Sequence, residues 1–415
     1  MIHQTMNQER LKKVRFAVGN FVEWLERYGE TSWDHQTFFA GGPGAAAKAL
    51  YYRKPLLGTL AVAPMIFCEA FLPGARRFFW KPLRFPIADA HYAMGFAFLS
   101  DGKTGRHYQK SVHFLHMLEA SRSPGFRNYC WGYPFDWVTR NGTIAESTPM
   151  ITSTPYAYEA FRQAYGLDED EHWLAVCKSI AEHAMTDIHD FETSPAASTC
   201  SYTPYDKGGV VNAAAYRANL LSAAASDFPG EGYWQVGERN LNFVLEAQQP
   251  DGSWFYSVDG VRDFVDHFHT CFVLKALAKI DKRIENNDCR KAIDRGVEYY
   301  LANLLDENGL PKPFSRAPRL TVYRRELYDC AECINLCLLL RKRIPSLNRV
   351  LERVVDDLLA RWVKPDGSFR SRELYLGWDN VPMHRWAQSQ MFRSLAFLLH
   401  DEETPMNGDE KGTCQ

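Results

Sequence analysis

The chain has 415 residues, 46% of them hydrophobic and 24% charged, proportions ordinary for a soluble globular protein. With a net charge of −2 and no dominant Lys/Arg block, bulk nucleic-acid binding is argued against. Ten cysteines fall mostly inside helical patterns rather than in a compact loop framework, which is the pattern of reduced core thiols.

Residues 1–29 read as a charged amphipathic helix, Glu9–Arg27. They hold no apolar stretch followed by a small-residue cleavage site, so a cytoplasmic location is expected. Glu30–Tyr52 is irregular and glycine-rich. Leu56–Pro73, LLGTLAVAPMIFCEAFLP, runs 18 residues with a single charge, Glu69. A spanning helix needs ~20 apolar residues, and Pro64 interrupts this one, so a buried core helix is expected. The continuation GARRFFWKPLRF interleaves Arg and Lys with Phe and Trp, which leaves open a peripheral membrane contact through 56–85.

From Phe85 to His400 one pattern recurs: an amphipathic helix, a turn built on Pro, Asp and Gly with an aromatic, then a helix apolar on most faces. The first helices fall at Glu9–Arg27, Gly105–Glu119, Glu171–Met185, Val236–Ala247, Cys289–Leu305 and Leu347–Trp362. The second helices are anchored near Pro86, Thr148, Gly208, Val265, Tyr328 and His384, 56 to 63 residues apart. A period of this size fits one helical hairpin per repeat. A helix apolar nearly all round is buried and an amphipathic one lies outside it. Six hairpins alternating in this way close into a ring: an all-α fold, an (α/α)6 toroid over 85–400 with an N-terminal helical extension, 1–84, packed on the barrel. The polar tail 401–415 is expected to be disordered.

The Gln248–Trp254 stretch, QQPDGSW, is similar to the Gln–Trp turn repeat of triterpene cyclases, and the chain resembles the α/α-toroid superfamily as a whole. Six-hairpin toroids also include glycoside hydrolases, polysaccharide lyases and sugar epimerases. The stretch from Trp131 to Glu159 resembles a family of cytoplasmic proteins of bacterial surface-polysaccharide biosynthesis. The resemblance implies a sugar-handling cavity at the mouth where the inner helices begin.

The residues at those helix starts suit sugars. Pyranose faces pack on aromatic rings, and hydroxyls need Asp, Asn and Arg partners. Trp131, Tyr133, Trp137, Arg140 and Tyr156 are expected to bind substrate near the second inner helix, and Tyr205 and Asn212 near the third. Asp266 and His269 serve the fourth, and Glu332 the fifth. Trp378, Asp379, His384, Arg385 and Gln388 serve the sixth. Asp136, set between Phe135 and Trp137, is expected as a catalytic carboxyl whose pKa an apolar setting would raise. Asp266, Asp329 and Asp379 are its candidate partners, since glycoside hydrolysis needs two carboxyls. His267 or His269 is the candidate base or hydrogen-bond donor to a sugar, with His267 placed among the catalytic groups beside Tyr328 and Asp329. His267 and His269 point roughly 200° apart on a helix, which disfavours a shared metal. Cys330, Cys333 and Cys337 form a stripe on one helix face with no second pair to complete a zinc site. No cofactor or metal is expected.

The leading reading is a carbohydrate-active enzyme of glycan metabolism acting by general acid/base chemistry on an oligosaccharide, as a hydrolase or as a uronate lyase or C5-epimerase. Alternatives are a non-catalytic glycan-binding or scaffold protein of a membrane-associated assembly and an isoprenoid cyclase-like toroid. The latter lacks an Asp-rich magnesium motif and an Asp-x-Asp-Asp acid. The linkage, the sugar and the oligomeric state are not specified by these features.

Overall fold

The computed structural model describes residues 6–403. Its helices in chain order are α1 (Gln8–Tyr28), α2 (Gly42–Arg53), α3 (Pro55–Phe71), α4 (Pro86–Phe98), α5 (Arg106–Ala120), α6 (Thr154–Asp168), α7 (Glu171–Thr186), α8 (Val211–Asp227), α9 (Tyr233–Glu246), α10 (His267–Ile284), α11 (Asn287–Asn303), α12 (Leu327–Leu340), α13 (Ser346–Asp357) and α14 (Ser389–Glu403). A π-helical turn, Leu358–Trp362, extends α13, and another, His384–Gln388, leads into α14. Short antiparallel strand pairs decorate the loops that precede the inner helices.

Two kinds of helix alternate, as their sequences dictate. In α13 the buried residues are Leu347, Val350, Leu351, Val354 and Val355, one stripe at helical spacing, so one face packs and the rest is wet. In α8 every residue from Val211 to Ala224 is buried. The helices of the second kind, α4, α6, α8, α10, α12 and α14, pack in that order, and α14 returns to α4. Outside them, α5, α7, α9, α11 and α13 each pack on an inner helix, and α1 packs on α14. This is an (α/α)6 toroid. The helix periods read from sequence match it closely, the largest slip being the second inner helix, which begins at Thr154 instead of near Thr148.

The α1 helix lies in the ring's outer layer. Phe21 is fully buried and stacks on Phe369 at 5.1 Å and Phe392 at 5.3 Å. A boundary at residue 84 therefore separates a helix from the layer it belongs to. The opposite end also shifts: α14 continues to Glu403, because Arg341 of α12 binds Glu402 at 2.6 Å and pairs with Asp401. The rest of the expected tail lies outside the described residues.

The recurrent turn has a physical explanation. In Pro250–Trp254 the Asp251 carboxylate accepts from the Ser253 N–H and hydroxyl (3.0 and 2.7 Å), and Gly252 sits at φ 90°. Trp254 is buried and donates to the Val244 carbonyl at 2.9 Å. Asp366 and Ser368 repeat the bonds at 2.9 and 2.7 Å, with Gly367 at φ 94° and Phe369 buried. Each glycine faces the next outer helix. A Cβ on Gly252 would lie 2.4 Å from the Arg295 carbonyl oxygen of α11, and one on Gly367 would lie 2.4 Å from that of Asn20 in α1. The turn thus stitches one hairpin to the next, and its last copy joins the end of the chain to the beginning.

Residues 29–85 leave the ring between α1 and α4. The expected buried helix is here, as α3, but it is not buried. Among its residues only Gly58, Met65 and Glu69 are enclosed, while Leu56 is 88% and Leu60 73% exposed. The helix is held through these three points: Gly58 lies against the backbone of Tyr51 in α2, so closely that a Cβ would meet Tyr51 Cα at 2.0 Å, and Glu69 accepts from Arg372 at 2.6 Å. No helix among the described residues is long and apolar enough to cross a membrane.

The barrel axis is polar and paired. Lys279 binds Glu159 at 2.5 Å, Arg393 approaches the same carboxylate at 3.4 Å, and Lys275 pairs with Glu332. Burial pushes the Glu159 carboxyl up, but Lys279 and Arg393 outweigh it and hold the group at about 2, against an ordinary 4.5. A depressed carboxyl stabilises the fold above its unfolded pKa and loses that contribution as pH falls through the folded one. Glu159→Gln should therefore cost about 3 kcal/mol at neutral pH, and the deficit should shrink between pH 4.5 and about 2 in urea titrations run across that window. Gly367→Ala should lower stability by roughly 2 kcal/mol or more, read as a fall in Tm, whereas alanine at the open helical position Gly19 should not lower it.

Candidate active site

The residues expected to line the mouth divide into those that hold the molecule together and those whose rings touch one another near the starts of the inner helices. His384 belongs to the first group. Its Nδ1 meets Tyr92 Oη at 2.5 Å, its Nε2 the Gly29 carbonyl at 3.0 Å, and its backbone N–H donates to Ser32 at 2.9 Å. Burial pushes its pKa down to about 4. Gln388 is spent on both backbone groups of Phe369, at 3.0 and 2.7 Å. Asp379 forms a fully buried ion pair with Arg76 at 2.8 Å. Trp378 packs edge-on against Trp362 at 5.0 Å, toward the end of α13. Trp131 is buried and donates to the Leu118 carbonyl at 2.7 Å. Tyr156 is buried on the axis with its hydroxyl 2.7 Å from that of Tyr216, and Glu332 is buried against Lys275. Asn212 is buried at the start of α8.

Four of the expected residues, Asp136, Arg140, Tyr205 and His267, lie apart from both groups. Asp136 is exposed and accepts from the Glu146 N–H at 2.8 Å. It pins the hairpin of β1 (Trp137–Thr139) and β2 (Gly142–Ile144), so the apolar enclosure proposed for it is absent. Arg140 is exposed at the tip of that hairpin and Tyr205 is 76% exposed, so neither is enclosed with the mouth residues. His267 is fully buried and turns outward, its Nε2 2.9 Å from the hydroxyl of Tyr300 on α11. Its Nδ1 lies 3.5 Å from Asp329, so both ring nitrogens face protein groups. Cys330, Cys333 and Cys337 are buried in α12, and among the described residues no three His, Cys, Asp or Glu side chains are grouped to hold a metal.

The second group forms a belt of half-buried rings. Tyr133 lies 5.5 Å from Trp137, and Trp137 6.3 Å from Tyr202. Tyr202 accepts from Thr152 at 3.1 Å; burial, and then its neighbours Tyr133 and Tyr256, push its phenol well up. Tyr256, pushed up to about 12 by burial, meets His269 edge-on at 4.7 Å. His269 touches Phe268 at 4.4 Å, Phe268 touches Trp386 at 5.7 Å, and Trp386 stacks on Tyr328 at 4.7 Å. The guanidinium of Arg385 closes the belt, 5.0 Å from the ring of Trp386 and 4.3 Å from that of Tyr133. Asp34 of the excursion fixes Arg385 at 2.7 Å, and His35 walls the belt against Trp386 at 4.9 Å.

Within this belt one arrangement is chemically poised. Asp266 is buried and caps α10, accepting from the His269 N–H at 2.9 Å. Its other oxygen lies 2.6 Å from His269 Nδ1. A carboxylate there places the imidazole proton on Nδ1 and leaves Nε2 as the basic nitrogen. The cap, a local consequence of Asp at the residue before the helix, thus aims a histidine from the first turn of α10. Asp329, in the first turn of α12, is buried with neither oxygen hydrogen-bonded and with His267 Nδ1 at 3.5 Å; burial, with Glu326, Asp266 and Glu332 nearby, holds its carboxyl well above the usual range.

Tyr256, Phe268, Trp386 and His35 were not singled out from the sequence. Tyr256 follows the PDGSWF turn by one residue and Trp386 follows Arg385, so both were adjacent to features that had been recognised.

No family model matches the chain, and no curated protein does. Solved structures do match in shape. Cellobiose 2-epimerase from Bacillus thermoamylovorans B4167 superposes with a TM-score of 0.58 at 11% identity, over 76% of this chain and 87% of its own. A sugar epimerase from a ruminal bacterium gives 0.59 at 11%, over 78% and 89%. A possible member of the GH105 family from Salmonella enterica serovar Paratyphi A gives 0.54 at 14%, over 76% and 82%. The shared property is the fold. It is the α/α toroid.

The division of residues into fasteners and belt is testable. Asp379→Ala strands a buried Arg76 and should cost about 3–5 kcal/mol, whereas Asp136→Asn, at an exposed turn, should stay within about 0.5 kcal/mol; denaturant unfolding of the two variants measures the contrast.

Proposed function

We propose that this protein is a carbohydrate-active enzyme that moves a proton at a sugar carbon, as an epimerase, isomerase or lyase, with His269 as the base. The observation that carries the reading is the Asp266–His269 pair set beside aromatic rings at the starts of the inner helices. Rings such as Tyr133, Trp137 and Trp386 offer apolar platforms to pyranose faces. The neutral phenols of Tyr202 and Tyr256 supply hydroxyl-directed hydrogen bonds. His269 Nε2 takes the proton from the carbon beside a carbonyl or carboxylate, and Asp266 stabilises the imidazolium that forms.

Glycoside hydrolysis is less well supported. It needs two carboxyls facing each other across the sugar. Asp136 is tied to a turn, Asp379 to Arg76, and Asp329 lies buried beside His267. The solved structures of similar shape include sugar epimerases and glycoside hydrolase families alike, so the choice rests on the side chains, and the resemblance of the Trp131–Glu159 stretch favours a glycan destined for a bacterial surface, handled from the cytoplasmic side. One observation favours a second reading, a glycan-binding protein without catalysis: the excursion of residues 29–85 covers part of the mouth and occupies Asp379, His384 and Arg385.

Incubation with reducing disaccharides and uronate oligosaccharides in D2O, followed by NMR, separates these readings. Wild-type protein should exchange a carbon-bound proton with solvent, His269→Ala should lose at least about 100-fold in that rate, and Asp266→Asn, which keeps the helix cap, should fall between. Saccharide binding with no exchange supports the binding protein instead. Exchange undiminished in His269→Ala sinks the assignment of the base.

A further inference from the structure

The exposed face of α3 is apolar and covered by nothing among the described residues. Leu56, Leu60, Ala63, Phe67 and Phe71 recur every three or four residues and are all exposed, forming a stripe roughly 22 Å long at 1.5 Å per residue. Phe67 and Phe71 are 56% and 52% exposed, and Phe78 just beyond the helix 77%. Contiguous apolar surface of this extent marks an interaction site in a folded protein. The helix has 17 residues with Pro64 inside it, too short and too interrupted to span a bilayer.

Charge decides what covers it. Between residues 41 and 84 the only carboxylate is Glu69, and it points inward, to Arg372. The exposed charges are all basic: Arg53 and Lys54 before the stripe, Arg77 and Lys81 after it. A second copy docked on this face would bring like charges together with no acidic partner in the segment. An apolar stripe with cations at both ends is complementary to one surface, the headgroup and acyl boundary of an anionic bilayer, where a helix lies flat.

We propose that α2 and α3 form an interfacial membrane anchor, with α3 lying in the plane of an anionic bilayer and Arg53, Lys54, Arg77 and Lys81 among the phosphates. The anchor's inner side reaches the mouth: Glu69 binds Arg372, Arg372 pairs with Glu326, and Glu326 accepts from Trp386 at 3.2 Å. Docking therefore sets the mouth beside the membrane surface. The anchor stands independently of the chemistry assigned to His269.

Flotation of the full chain with vesicles tests this. Wild-type protein should float with vesicles of phosphatidylcholine mixed with phosphatidylglycerol at low salt, and should bind pure phosphatidylcholine at least roughly tenfold less. Leu60→Glu with Phe67→Glu, and separately Lys54→Glu with Lys81→Glu, should each lose roughly tenfold or more with an unchanged Tm, since these side chains are exposed. Sedimentation velocity without vesicles should show a monomer. Failure to float with either vesicle, flotation undiminished in both variants, or a dimer that Leu60→Glu with Phe67→Glu dissociates would each overturn the proposal.

Discussion

The molecule depends on closure of its ring, made in the inner layer by α14 against α4 and sealed in the outer layer by an aromatic side chain of α1. Phe21, from the first helix, is held between Phe369 of the last turn and Phe392 of the last helix, with Tyr92 at 6.3 Å. An open row of hairpins would leave an apolar inner face at each end. Closing the row removes both ends and brings six helix starts to one mouth. The side chains of that mouth are positioned by the closed inner ring, whose helices are largely buried and have no freedom to rotate independently.

The second constraint is electrostatic. The excursion between α1 and α4 is fastened over part of the mouth by buried ion pairs: Arg76 to Asp379, Arg385 to Asp34, and Arg372 to Glu69 and Glu326. Such pairs contribute little net stability, because removing the charges from water is costly, but they tolerate only one geometry. They define where the excursion sits. They also consume residues that, in an open mouth, would be available to a ligand.

The pattern of legibility follows from the range of the forces. The helices and the PDGS turns are set by spacing within about ten residues, so α7 and α13 were found nearly to the residue. The belt was partly legible: Tyr133, Trp137, Asp266, His269 and Arg385 are residue types that suit sugars and sit where inner helices begin. Which of two neighbouring histidines faces the mouth was not legible. His267 and His269 differ by about 200° of rotation, and only the packing of α10 against Tyr300 decides which one turns outward. Asp136 misled because two aromatic neighbours in sequence do not enclose a side chain that the hairpin turns to solvent. The α3 segment misled because apolar composition alone does not distinguish a core from a surface meant to be covered.

The closure through Phe21 has a consequence in time. The partner ring, Phe369, is synthesised 348 residues later, a delay of roughly 20–70 s at the usual 5–20 residues per second. Through that interval α1 exists without its neighbour in the outer layer, and the inner face of each completed hairpin waits for the next. Early hairpins are shielded only on one side, so the chain passes through a long period in which its largest apolar surfaces are presented to the cell before the native topology can form.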